Sequence, residues 1–162
     1  MKKRPSQAAQ RIGKALIDLR RNPQNRAIQC KIYSVGDHEL TPVQVDILEV
    51  VVARPGQRMN ELARTLGVDA STVSRTVVPL LNLQLIERRP GEQDRRMMRL
   101  FPTSAGLRQA QTIVDSREAM MREVQSHFTP ERMEMFAELL EEYIAAVSTA
   151  GRALLKMNEH GQ

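Results

Sequence analysis

Five arginines, Arg88, Arg89, Arg95, Arg96 and Arg99, crowd around a turn-rich stretch at 90–94 that reads Pro, Gly, Glu, Gln, Asp. Like charges on so narrow a segment repel one another unless an anion neutralises them, and a guanidinium is a planar fork that grips a phosphate or a guanine edge with two hydrogen bonds. Just upstream, Ser71, Thr72, Ser74 and Arg75 gather three hydroxyls and a further guanidinium. Short hydrogen-bonding side chains of this kind suit a DNA major groove, although Ser and Thr are also ordinary first-turn residues of a helix. Catalysis finds no comparable foothold. His38, His127 and His160 fall in no spacing that pairs a base with a nucleophile or an acid, and there is no glycine-rich phosphate loop. The single Cys30 cannot make a disulfide within the chain or supply the thiolates of a structural zinc site. The expectation is no enzyme, no metal and no cofactor.

Such side chains need a scaffold, and the pattern of apolar residues predicts one. Ala63, Gly67 and Val73 have the spacing of a helix-turn-helix: a small residue where two helices cross, a glycine for the left-handed turn, and a valine that packs back on the first helix. The first of these helices is expected over 60–66, and Asp69 caps the second. That second helix should bury Val73, Val77, Leu80 and Leu81, leaving Ser71, Thr72, Ser74, Arg75 and Val78 outside, with a kink at Pro79. Strand-like runs at 85–89 and 97–101 flank the turn at 90–94, so the arginines ride on a hairpin. Upstream, Thr41, Pro42 and Gln44 form a capping box for a helix over 41–53, in which Val43, Ile47, Val50 and Val51 recur at helical spacing and Leu40 can staple to Val45.

Both ends of the chain read as helices. Ala9, Ile12, Leu16 and Leu19 share a stripe that Pro23 interrupts, while 24–38 carries no clear pattern. Thr103 caps a helix over 104–127, and Thr129 and Pro130 open a last one. Along that helix Met133, Phe136, Leu140, Tyr143, Val147, Ala150, Leu154 and Met157 alternate spacings of three and four, the seam of a helix that packs along another for its whole length. At about 1.5 Å per residue it is near 40 Å long, more than a domain of this size needs for its own core, so a second chain is the expected partner. An intrachain bundle with the first helix is the alternative.

Composition agrees with this reading. The 162 residues are 41% hydrophobic and 27% charged, enough to bury a core. Purely apolar runs such as 50–53 are far too short for a membrane span, and the basic start has no apolar signal core behind it, so a cytoplasmic protein is expected. The net charge of +5 is distributed as +8 over 1–34, −4 over 35–53, +5 over 54–108 and −4 over 109–162, and every base between 54 and 108 is arginine. The middle suits a polyanion and the acidic tail would repel one, although a solvated basic face has the same composition. Aromatics are only 3% of the chain and none lies between 34 and 100, which leaves no stacking platform for single strands and favours double-stranded DNA.

In this order the elements resemble the MarR family of bacterial winged-helix transcription regulators over about 40–157. The resemblance is carried by Leu40, Thr41, Pro42 and Gln44, by Glu61, Leu62, Ala63, Leu66, Gly67 and Val68, by 71–75 and 86–89, and by Asp94, Arg95, Arg96, Thr103 and Gly106. It implies a mainly α winged helix-turn-helix fold, with a dimerisation region at 1–39, a DNA-binding lobe at 40–103 and further dimerisation helices at 104–162. It implies a homodimer that regulates transcription, as a repressor on an inverted-repeat operator, in which Ile12, Leu16, Phe136, Leu140, Tyr143, Val147 and Leu154 line the interface. By the same resemblance Arg96, held by Asp94, enters the minor groove, and a small aromatic effector releases the DNA. Departures from the family pattern are Pro79, Gln84 where glycine commonly ends the recognition helix, Pro102, and Arg58 where a Ser or Thr cap is common. Two alternatives stand beside this reading: a winged helix used for protein assembly without base readout, and a regulator that senses oxidants through Cys30.

Overall fold

A computed structural model describes residues 4–91 and 97–159, with side chains as far as Ala153 in the last helix. The chain forms two compact units, Met1–Arg117 and Glu118–Gln162. The first contains α1 (Gln7–Arg21), α2 (Pro23–Ile32), a small hairpin of β1 (Ser34–Val35) and β2 (His38–Glu39), α3 (Pro42–Ala53), α4 (Met59–Leu66), α5 (Ala70–Asn82), and the antiparallel pair β3 (Ile86–Pro90) and β4 (Met98–Pro102). Helix α6 (Ser104–Ser126) begins in the first unit and ends in the second, which also holds α7 (Pro130–Glu159).

Local chemistry sets the helix starts. Ser6 accepts from the Ala9 N–H at 3.2 Å, and Asn22 accepts from that of Gln24 at 2.9 Å. Pro23, expected only to interrupt, therefore opens a new helix, because its missing N–H costs nothing at a first helical position. The box at α3 closes in both directions: the Thr41 N–H donates to Gln44 Oε1 at 2.7 Å, and the Gln44 N–H to Thr41 Oγ1 at 3.3 Å. At α4 the side chain of Glu61 accepts from the Arg58 N–H at 2.8 Å, so the helix starts at Met59 without a Ser or Thr cap.

The core is continuous through Leu40, α3 (Val45, Ile47, Leu48, Val51), α4 (Leu62, Ala63), α5 (Val73, Val77, Leu80), the hairpin (Leu85, Ile86, Leu100) and α6 (Ala110, Ile113). Three expected positions differ, Val50 being half-buried. Val43 is 38% exposed and Leu81 only half-buried. Helix α3 packs against α4, α5 and β4 together, so it buries Val45 and Leu48 beside Ile47 and Val51 of the predicted stripe, while Val43 in its first turn stays outside. The helix-turn-helix triplet is as expected: Ala63 and Val73 are buried, and Gly67 lies in the left-handed region at φ +66°. Gln84 is also left-handed, at φ +54°, so it makes the turn that glycine makes in the family pattern, at a cost of about 1–2 kcal/mol for a side chain there. Its reward is local closure, the Leu85 N–H donating to the Leu80 carbonyl at 2.9 Å.

Arg117 of α6 fastens that helix to the lobe. Its guanidinium pairs with Glu49 of α3, donates to Tyr33 Oη at 3.1 Å and lies 5.4 Å from the centre of the Tyr33 ring. The pair is about one-third exposed, so water screens it. Replacing Arg117 by methionine keeps most of the packing and should lower the unfolding free energy by about 1 kcal/mol, read from urea titration. A variant as stable as the parent would show the tie to be idle.

Candidate nucleic-acid interface

The apolar side of α5 is fixed in the core by Val73, Val77 and Leu80, which turns its other side outward. Ser71, Ser74 and Arg75 are exposed and Thr72 is half-buried. The cap is unusually rich. Asp69 accepts the Thr72 N–H at 2.8 Å, the Ser71 hydroxyl at 2.5 Å and the Thr72 hydroxyl at 2.8 Å. These bonds, led by that from Ser71, hold its carboxyl well below the usual carboxylate range. Arg75 leans back toward the Ser71 carbonyl, its Nε 3.4 Å away, and its guanidinium remains at the surface.

The hairpin stands where the sequence placed it, each strand one residue further along. Its register sets Arg88 opposite Leu100 and Arg89 opposite Arg99. The Gly91 N–H donates to the Met97 carbonyl at 2.8 Å and closes the described part of the ribbon. A third segment, absent from the sequence reading, joins it: Leu100 exchanges backbone hydrogen bonds with Gly56 and Gln57 at 2.8 and 2.9 Å. Gly56 sits at φ +84°, a conformation that favours glycine, and a Cβ there would stand 3.3 Å from the Phe101 ring, which would have to shift slightly.

Two of the arginines have work inside the fold. Arg89 pairs with Glu87 and lies 4.9 Å over the Phe101 ring. Arg99 donates to the Gly56 carbonyl at 2.7 Å. These partners offset the repulsion that the crowding implied, so the need for an external anion is smaller than charge alone suggests. Arg88 is exposed. Asp94, Arg95 and Arg96 lie outside the described residues, as does the side chain of Leu154.

The remaining candidates lie on other elements. On α1, Ile12 and Leu16 are 48% and 41% exposed. On α7, Phe136, Leu140, Tyr143 and Val147 are exposed, and so are Met135, Leu139 and Ile144, which the seam did not include. Phe136 stacks on Phe128 with 6.3 Å between ring centres. Cys30 donates to Glu39 Oε1 at 3.0 Å. That bond, with desolvation behind it, pushes the thiol up, which opposes the thiolate that oxidant sensing needs. An open groove of about 360 Å³ between α3 and α4 carries Asp46 and Glu49 against Arg54, so an aromatic carboxylate gains no net attraction there. Among the described residues there is no cluster of His, Cys, Asp and Glu fit for a metal, and no helix long and apolar enough to cross a membrane.

The sequence marks Asp69 as a cap, and its further role in holding two side-chain hydroxyls emerges from the structure. The signal was an Asp followed at +2 and +3 by Ser and Thr, side chains able to turn back onto it.

Comparison with known proteins places this geometry. The family model described as MarR family matches residues 38–97. The HTH-type transcriptional regulator YybA of Bacillus subtilis (strain 168) is 30% identical over 104 residues, which cover 64% of this chain and 69% of that protein. Among solved structures, Streptococcus pneumoniae FabT in complex with DNA superposes with a TM-score of 0.75 at 19% identity, covering 88% of this chain and 99% of that one. The crystal structure of MarR superposes with a TM-score of 0.65 at 25% identity, covering 94% and 98%. The likeness to FabT shows the winged helix-turn-helix fold, and the likeness to YybA reaches the sequence that builds it. The left-handed turn at Gly67, the capped α5 and the arginine hairpin thus stand in a chain that belongs to the MarR family of DNA-binding transcription regulators.

Proposed function

We propose that this regulator binds duplex DNA sequence-specifically as a homodimer on an inverted-repeat operator, acts in the cytoplasm as a repressor, and catalyses no reaction. The observation that carries the reading is α5: three buried residues fix its inner side, and Ser71, Ser74 and Arg75 are exposed on the outer side. Helix-turn-helix proteins read bases with the N-terminal residues of the second helix, where these side chains lie. The structure of FabT with DNA supports a DNA partner for this fold. Region 40–103 is then the DNA-binding lobe, with 1–39 and 104–162 serving dimerisation. On the wing, Arg88 and Arg95 contact phosphate, and Arg96, oriented by Asp94, enters the minor groove. Arg89 and Arg99 act chiefly by stiffening the hairpin that delivers them. A small aromatic effector belongs to the reading through the family alone, since the groove between α3 and α4 does not favour one.

Selection of bound duplexes from a random pool tests the proposal. The two recognition helices of a two-fold dimer must face equivalent grooves, so the motif should be an inverted repeat with half-site centres about 10 to 10.5 base pairs apart. Arg75→Ala should lose guanine preference at symmetric positions in both halves, about 1–3 kcal/mol of discrimination for a two-bonded contact. Phosphate contacts lower affinity for all sequences alike, so Arg88→Ala should leave the motif unchanged. A parent that enriches no motif, and whose binding vanishes with salt irrespective of sequence, favours the assembly module instead.

A further inference from the structure

We infer that Asp69 is a positioning residue for base readout: by taking the hydroxyl protons of Ser71 and Thr72 it makes both side chains acceptors only, so the tip of α5 reads exocyclic amino groups and rejects keto oxygens. The inference rests on the proposal that α5 enters the major groove. A serine or threonine hydroxyl has one proton and two lone pairs, and a free one rotates to suit a donor or an acceptor, which makes it a poor discriminator of bases. Here neither hydroxyl is free. Ser71 Oγ lies 2.5 Å from Asp69 Oδ1 and Thr72 Oγ1 lies 2.8 Å from Oδ2, while Oδ1 also takes the Thr72 N–H at 2.8 Å. An ionised carboxylate can only accept, so both protons must point at Asp69, and the lone pairs are all that remain for a ligand. Capping alone would need only the bond to the N–H.

The consequence is a specific kind of degeneracy. In the major groove adenine and cytosine offer amino groups, N6 and N4, whereas guanine and thymine offer the oxygens O6 and O4. An acceptor-only side chain over a given strand therefore groups adenine with cytosine against guanine with thymine, and does not separate the members of either group. Arg75, a pure donor, prefers guanine and cannot produce that grouping.

The test uses the full chain and repeats the random-pool selection with Asp69→Asn. Asparagine keeps the shape and an oxygen for the Thr72 N–H, but its NH₂ is a donor and cannot take a hydroxyl proton, so at least one hydroxyl is released. The parent motif should contain, in each half-site, a position favouring adenine or cytosine on one strand by about threefold to tenfold, the range for one hydrogen bond. Asp69→Asn should flatten that position and leave the Arg75-dependent guanine in place. Ser71→Ala and Thr72→Val remove the hydroxyls without touching the cap, and one of them should flatten the same position; they carry the test if circular dichroism shows Asp69→Asn unfolded. A motif with an Arg75-dependent guanine but no such position, or one whose position survives all the variants that fold, overturns the inference alone. A parent with no motif overturns it together with the reading of the site.

Discussion

Replacing Gly106 by alanine should lower the unfolding free energy by about 3 kcal/mol or more, the upper range for forcing atoms into a packed site. Gly106 lies in the first turn of α6, and a Cβ there would stand 1.9 Å from the Leu85 carbonyl oxygen and 2.9 Å from its carbon. Both are backbone atoms, which cannot swing aside as a side-chain end would. Nor can the strand retreat easily. The Leu85 carbonyl accepts from the Thr103 N–H at 3.1 Å, the Thr103 hydroxyl donates to the adjacent Gln84 carbonyl at 2.6 Å, and that hydroxyl accepts from the Gly106 N–H at 3.0 Å. Relieving the clash therefore loosens the cap that starts α6 and the strand that starts the wing. The controls are Gly13→Ala and Gly151→Ala, helical positions with nothing within 4 Å, which should stabilise by about 0.5–1 kcal/mol through helix propensity. Urea unfolding of the three variants decides the matter. A Gly106→Ala protein within 1 kcal/mol of the parent would mean that the close approach does not exist in solution.

Gly106 also shows which parts of this fold can be read without coordinates. Its presence was legible through resemblance, but its reason was not, because the atom it avoids is 21 residues back along the chain. Features whose physics is local were legible from residue types. The box of Thr41 and Gln44, the turn at Gly67 and the cap at Asp69 each involve partners within a few residues, so spacing alone specifies them. Features made by distant backbone were not. Gly56 and Gln57 look like a loop, and become a third segment of the wing sheet only because Leu100 arrives beside them. The hairpin of β1 and β2, two residues a side around Gly36, is too short for periodicity to register. For the candidate site the same division holds. Which side chains α5 presents follows from the buried Val73 and Val77, whereas the internal duties of Arg89 and Arg99 depend on Phe101 and the Gly56 carbonyl, and charge counting assigned those arginines wholly to an outside anion.

Deleting the chain from Thr129 onward should leave a product that aggregates or is partly unfolded, and in no case a well-behaved monomer. The argument begins with the breadth of the apolar face of α7. Met135, Phe136, Leu139, Leu140, Tyr143, Ile144 and Val147 are each at least 37% exposed in the isolated chain. At 100° per residue they cover about half the helix circumference, wider than the seam of a two-stranded coiled coil and suited to packing against more than one helix. So much contiguous apolar surface is not kept in water by a monomer. In a homodimer the second copy covers it, and folding and association become one equilibrium, with a midpoint that rises with protein concentration. Removing α7 removes one side of that interface from both copies at once, while Ile12, Leu16 and Leu19 on α1 and Met121 and Val124 on α6 stay exposed. Light scattering behind a sizing column, thermal unfolding at several concentrations and dye binding to exposed apolar surface give the measurements. The full chain should run as a dimer with a concentration-dependent transition. If the full chain is instead a monomer, or if the truncated chain is soluble, unfolds cooperatively and binds no dye, α7 is an appendage. Two recognition helices would then have no axis to relate them, and the operator would lose its reason to be a palindrome.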